Sequence, residues 1–145
     1  MTFLISACLL GTPCRYDGKS KEMPDAVASL LLTHTLIPVC PEVLGGLPTP
    51  RPPAEIQGDK VVNTEGVDVS ENYRRGALEV VRLSRLYRAD GVILKERSPS
   101  CGTGYVYDGS FSGRLIPGEG VTARKLRLAG IPVYSEEGPF PDTKN

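Results

Sequence analysis

Short apolar runs alternate with helical patterns along this chain, and three of the runs lead into a cysteine. They are Leu4-Ile5-Ser6-Ala7-Cys8, Leu36-Ile37-Pro38-Val39-Cys40, and Val92-Ile93-Leu94-Lys95 continuing to Ser98-Pro99-Ser100-Cys101. The alternation argues for βαβ units and a parallel sheet rather than a sandwich or a bundle. In such an open sheet, loops leaving the carboxyl ends of neighbouring strands converge on one crevice, where ligands bind. Three thiols distant in sequence can therefore meet in one pocket. Three sulfur ligands without an obvious fourth point to a reactive iron-sulfur or metal centre, because structural centres close their coordination sphere.

The expected fold is a single α/β domain over residues 1–137, with an open, mostly parallel, Rossmann-like sheet flanked by helices and one or two β-hairpins. Residues 138–145 read as a loose tail with little to bury. A first strand over Thr2 to Ala7 gives way to a long loop broken by Gly11, Pro13 and Gly18. Val27, Leu30 and Leu31 recur at helical spacing after Pro24, and a second strand follows from Leu36 to Val39. From Pro41 to Pro53 there are five prolines and two adjacent glycines, a density that predicts a stiff loop without regular structure. Gly58-Asp59 and Asp108-Gly109 are turn signals for two hairpins. The longest helix should run from Ser70, as N-cap, to Tyr87, with Tyr73, Ala77, Val80, Val81 and Leu83 inward and Arg74, Arg75, Arg82 and Arg85 outward. A central strand over Gly91 to Lys95, a helix from Val121 to Leu128 ending at Gly130, and a strand over Ile131 to Tyr134 complete the pattern.

Seventeen basic residues balance seventeen acidic ones, so the chain has no electrostatic footprint for nucleic acid or anionic membrane. A small-molecule partner is expected. The amino terminus lacks a basic start, and its apolar run falls far short of the ~20 residues that span a bilayer. That points to the cytoplasm, where cysteines serve as ligands or catalytic thiols rather than disulfides. The plain alternative for any one of them is core packing, since free cysteine is among the most buried residue types.

The first cysteine loop, Cys8 to Arg15, invites comparison with phosphatase and arsenate-reductase loops, where a thiolate precedes an arginine and backbone amides cradle an oxyanion. The spacing here is one residue too long, and a single glycine serves the whole turn. Zinc is disfavoured: no two cysteines have C-x-x-C spacing, and the only histidine, His34, closes a helix. Cys40-Pro41-Glu42 sets a carboxylate two residues after a thiol, with the proline fixing φ between them. A carboxyl in a proline-walled pocket suits a proton donor or base, and its plain alternative is a loop salt bridge to Arg51 or Arg97. Cys14, in a Gly-Thr-Pro loop six residues after Cys8, is expected outside the triangle of the other three thiols and not as a ligand.

Cys8, the segment Cys40-Pro41-Glu42-Val43-Leu44-Gly45-Gly46-Leu47-Pro48-Thr49-Pro50-Arg51, and Lys95-Glu96-Arg97-Ser98-Pro99-Ser100-Cys101-Gly102 together resemble the thiouracil desulfidase family, long catalogued only as a domain of unknown function. The likeness extends through Tyr16-Asp17-Gly18, Tyr107-Asp108-Gly109 and Gly118-Glu119-Gly120-Val121-Thr122-Ala123, and so covers nearly the whole chain to Glu136. It implies a 4Fe-4S cluster held by Cys8, Cys40 and Cys101, with one iron open to the sulfur of a thiolated base. It also implies catalytic parts for Glu42 and Ser98, with Ser100 a weaker candidate for binding substrate.

The expected activity is thus a non-redox carbon–sulfur bond cleavage on thiolated pyrimidines such as 2-thiouracil. The rivals are a thiol-based reductase working through Cys8 and Cys14, and a non-enzymatic iron-sulfur sensor or sulfur-binding module.

Overall fold

The computed structural model describes residues 1–141. In chain order the strands are β1 (Thr2–Ser6), β2 (Thr35–Val39), β3 (Ala54–Gln57), β4 (Lys60–Asn63), β5 (Gly91–Leu94), β6 (Tyr105–Tyr107), β7 (Leu115–Pro117) and β8 (Val133–Ser135). The helices are α1 (Asp25–Leu31), α2 (Pro41–Leu44), α3 (Ser70–Leu86) and α4 (Val121–Leu128), and a 3-10 turn covers Ala7–Leu10.

Strand alternation divides the core. Phe3 and Ile5 of β1 and Ile93 of β5 pack with Val27 and Leu30 of α1 on one face of the sheet. Leu4, Val92 and Leu94 pack on the other face with Val80 and Val81 of α3 and Ala123 and Leu126 of α4. The two-residue period of a strand is what sends neighbours to opposite layers. Both faces are therefore covered, as an all-parallel sheet requires.

The main sheet has the order β2-β1-β5-β8, and all three pairings are parallel. The chain moves outward from β1 to β2, then returns to the other side of β1 to form β5. That reversal makes the carboxyl end of β1 a topological switch point, the place where open α/β sheets bind ligands. The antiparallel hairpins β3–β4 and β6–β7 stand apart from the main sheet. They are tied to each other where Glu55 Oε1 accepts the amides of Gly109 and Phe111, and where Gln57 Nε2 donates to the Gly109 carbonyl. Among the described residues no helix is long and apolar enough to cross a membrane.

Three local expectations are corrected. The proline-rich segment after β2 is not wholly irregular, because Pro41 opens the short helix α2 at a position whose missing N–H is no loss. Ser70 is the first helical residue rather than the cap, since its hydroxyl accepts the Val61 amide from β4. The tail expected to be loose from Gly138 packs Phe140 against the Phe3 and Ile93 cluster. The rest of that expectation, residues 142–145, lies outside the described residues.

Candidate functional site

Three adjacent strands of the sheet, β2, β1 and β5, each deliver a cysteine at the carboxyl end. Cys8 lies in the 3-10 turn directly after β1, which Gly11 closes at φ +90°, a left-handed conformation that glycine adopts without strain. Cys40 follows β2 at the N-cap of α2. Cys101 lies in the loop after β5 and is buried, whereas Cys8 and Cys40 are half-buried. All are free thiols, and Cys8 is within electrostatic reach of both Cys40 and Cys101.

Cys14 does not stand apart. Its thiol interacts with those of both Cys8 and Cys40, and Cys40 Sγ lies 3.9 Å from the Cys14 carbonyl oxygen. The loop after β1 folds back under the Cys40 loop because Arg51 Nη2 donates to that same carbonyl at 2.9 Å. Cys14 thus adjoins two of the three expected ligands, a contact that no local spacing reports, because the loop is closed by an arginine thirty-seven residues away.

The thiols polarise one another in order. A hydrogen bond from Cys14 lowers the pKa of Cys8, against burial and the neighbouring thiolates. For Cys14 the bond with Cys40 lowers the pKa, but the bond to Cys8 and burial outweigh it, and the net shift is upward. Donation to Cys14 raises Cys40 first, and burial adds to it. Burial pushes Cys101 up to about 12, although Ser6 Oγ sits 3.6 Å from its sulfur.

Glu42, in the first turn of α2, is clamped from two sides. Arg51 Nε donates to Oε2 at 3.0 Å, and Arg51 Nη2 closes an ion pair with the same oxygen. Tyr73 of α3 donates its hydroxyl to Oε1 at 2.5 Å. Burial holds the Tyr73 phenol far above its ordinary pKa, so it remains a donor. Arg97, the other partner considered for Glu42, instead faces Glu137. Tyr73 reaches α2 because two glycines let the helices touch: a Cβ on Gly76 would fall 1.9 Å from the Pro41 carbonyl oxygen, and one on Gly45 equally close to that of Asn72. Glu42 is within electrostatic reach of Cys40 and Cys101.

The Cys101 loop is organised by its own side chains. Ser98 Oγ accepts the amides of Ser100 and Cys101, each at 3.1 Å. Glu96 is buried and accepts the hydroxyl and amide of Thr103 and the amide of Gly104. Burial alone would raise the Glu96 carboxyl, but these donors outweigh it and bring it down to about 2. The first turn of α4 spends its amides on the same loop, with Val121 donating to Pro99 and Thr122 to Ser100. Ser100 itself is 1 % exposed and shares a 2.8 Å hydrogen bond with Thr122 Oγ1 in the core. The same hydroxyl also reaches the Cys101 thiol, so Ser100 stands behind that cysteine rather than open to a substrate.

His34 lies at the opposite end of the sheet, before β2, with its ring against Phe3. A cavity of about 330 Å³ beside α4 is lined by Thr103, Glu119 and Arg127 and contains none of the four cysteines, Glu42 or Ser98. Tyr73 was legible only as a core position; its one distinctive signal was a phenol on a buried face, which needs a hydrogen-bond partner.

Among the described residues no three His, Cys, Asp or Glu side chains converge tightly enough to chelate a single ion. A multinuclear cluster asks for something else, thiolates on different irons several ångström apart. The molecule is thus a parallel α/β protein with a thiol-lined switch-point site and an adjacent clamped carboxylate. The family model for 2-thiouracil desulfurase matches residues 3–138, and the chain belongs to that family of carbon–sulfur bond-cleaving enzymes. The chain is 44% identical over 143 residues to the uncharacterised protein YbbK of Bacillus subtilis (strain 168), covering 92% of this chain and 94% of that one. It is also similar to a solved structure described as the 4Fe-4S-dependent thiouracil desulfidase TudS, with 47% identity, a TM-score of 0.88, and coverage of 94% of this chain and 91% of that one.

Proposed function

We propose that the protein removes sulfur from thiolated pyrimidines such as 2-thiouracil and releases it as hydrosulfide, using a 4Fe-4S cluster held by Cys8, Cys40 and Cys101. The observation that carries this reading is the grouping of those thiols beside Glu42 at the carboxyl ends of β2, β1 and β5. The likeness to a 4Fe-4S-dependent thiouracil desulfidase supports it. The donor set suits the group: three free thiols whose thiolate forms repel one another gain from positive iron between them. When bound, the cluster supplies a soft Lewis-acidic iron without a cysteine ligand, for which sulfur is the preferred donor.

The net reaction is a hydrolysis. Water oxygen bonds to the thiocarbonyl carbon, the carbon–sulfur bond breaks with its electron pair on sulfur, and no net redox change occurs. Glu42 takes the proton of the attacking water on Oε1, which keeps a free acceptor site beside the Tyr73 donor, whereas Oε2 is filled by the two Arg51 donors. Ser98 accepts two amides and has its own hydrogen left to donate to the carbonyl oxygen of the base. The substrate is a small thiolated base rather than nucleic acid or a membrane. The cytoplasm, whose reducing potential keeps thiols free, is the fitting compartment.

The test is anaerobic. Protein prepared with iron and sulfide should be brown and should convert 2-thiouracil to uracil and hydrosulfide in equal amounts. The contact between Cys8 and Cys14 favours one rival, a thiol reductase using that pair. A colourless, iron-free anaerobic preparation with reductase activity would establish that rival, and an iron-loaded protein inert toward 2-thiouracil would make it a sensor.

A further inference from the structure

Tyr73 is 2 % exposed and sits in a small apolar cluster with Val61 and Val69. Phenylalanine would fill that volume as well. The hydroxyl must therefore be explained by its one hydrogen bond, to Glu42 Oε1. The last torsion of a glutamate is broad and soft, so a carboxylate held at one end can still turn about its own axis. Here the two oxygens have different donors, the guanidinium on Oε2 and the phenol on Oε1. Together they fix the plane of the carboxylate.

The two donors are not equivalent. Arg51 is also committed to the carbonyls of Pro48 and Cys14 and to Thr49 Oγ1, so it braces the loops around the site. Tyr73 makes no such second bond, and its hydroxyl acts on Glu42 alone. We propose that Tyr73 is a positioning residue for the desulfuration, whose hydroxyl sets the orientation of the Glu42 carboxylate while Arg51 holds its position. This rests on the reading in which Glu42 carries the proton of the reaction. A misaligned reacting group costs rate without weakening ground-state binding, so the effect belongs in kcat and not in KM.

The experiment is a double-mutant cycle on the cluster-loaded enzyme with 2-thiouracil. Tyr73→Phe should lower kcat by roughly 10-fold, leave KM within about twofold, and leave the cluster spectrum unchanged. In a Glu42→Gln background the same change should cost nothing further, because there is no carboxylate left to orient. Glu42→Asp, which leaves Tyr73 and its packing intact but withdraws the carboxylate from the phenol, should show the same loss confined to kcat. Wild-type kcat in Tyr73→Phe or in Glu42→Asp overturns the proposal, and so does an equal loss from Tyr73→Phe in both backgrounds. A fully active Glu42→Gln enzyme would instead remove Glu42 from the chemistry, a failure of the reading beneath.

Discussion

The two sides of the thiol site are held by different forces. On the Cys101 side the loop is fixed through its backbone: Ser98 and Glu96 accept its amides, and the start of α4 donates amides to its carbonyls. On the Glu42 side the backbone is a short helix pressed against α3, and the carboxylate is aimed by two side chains, Arg51 and Tyr73. In the proposed reaction Cys101 is a ligand that has to stay in place, and backbone bonds are hard to remove by substitution. Glu42 is there a proton carrier that has to be aimed, and aiming takes donors at the end of the side chain. Damage to the first side should therefore appear as lost iron or lost stability, and damage to the second as lost rate.

The largest effect that distinguishes the sides is Cys101→Ser, which should abolish the iron content of anaerobically loaded protein and all turnover of 2-thiouracil. Retention of iron in that variant would remove Cys101 from the ligand set. Next is Gly76→Ala, which forces a methyl to within 1.9 Å of the Pro41 carbonyl oxygen and must push α2 away from α3. It should cost about 3 kcal/mol of unfolding free energy, the upper range for overpacking, and carry Glu42 out of reach of Tyr73. Chemical denaturation reads the first effect and kcat the second.

Glu96→Gln should be milder and dependent on pH. Its carboxyl falls from an ordinary 4.5 to about 2 in the folded protein, so its charge stabilises the fold above pH 5, and that contribution is lost as the pH falls toward 2. At pH 7 the variant should lose about 1–2 kcal/mol, discounted for its partial contact with solvent. The gap to the wild type should close in acid. A gap that is the same at pH 7 and pH 3 would mean that the charge of Glu96 does not organise the loop. The smallest effect is expected from Cys14→Ser, which should keep its iron and most of its activity. Loss of iron there would turn the site into a four-cysteine one, and the contact of Cys14 with Cys8 and Cys40 makes this the sharpest check on the ligand count.

Much of this molecule is determined by neighbours in sequence. The alternation of Phe3, Leu4 and Ile5, the helical spacing of Tyr73, Ala77, Val80 and Val81, and Gly130 after α4 are local patterns, and local patterns specify strands, helices and their ends. The arrival of Cys8, Cys40 and Cys101 at one end of the sheet also follows from sequence order, because parallel strands joined by crossovers place all their carboxyl ends together. What tertiary structure alone decided is which side chains meet there. Cys14 enters the thiol group because Arg51 grips its carbonyl, and Ser100 is held behind Cys101 because Thr122 shares its hydroxyl in the core. Tyr73 finds Glu42 because Gly45 and Gly76 let two helices touch. Each pairing joins residues at least twenty-two positions apart, and no periodicity in one segment encodes the distance to another. Such contacts are set by how whole elements pack, where a missing Cβ or one buried donor decides the approach.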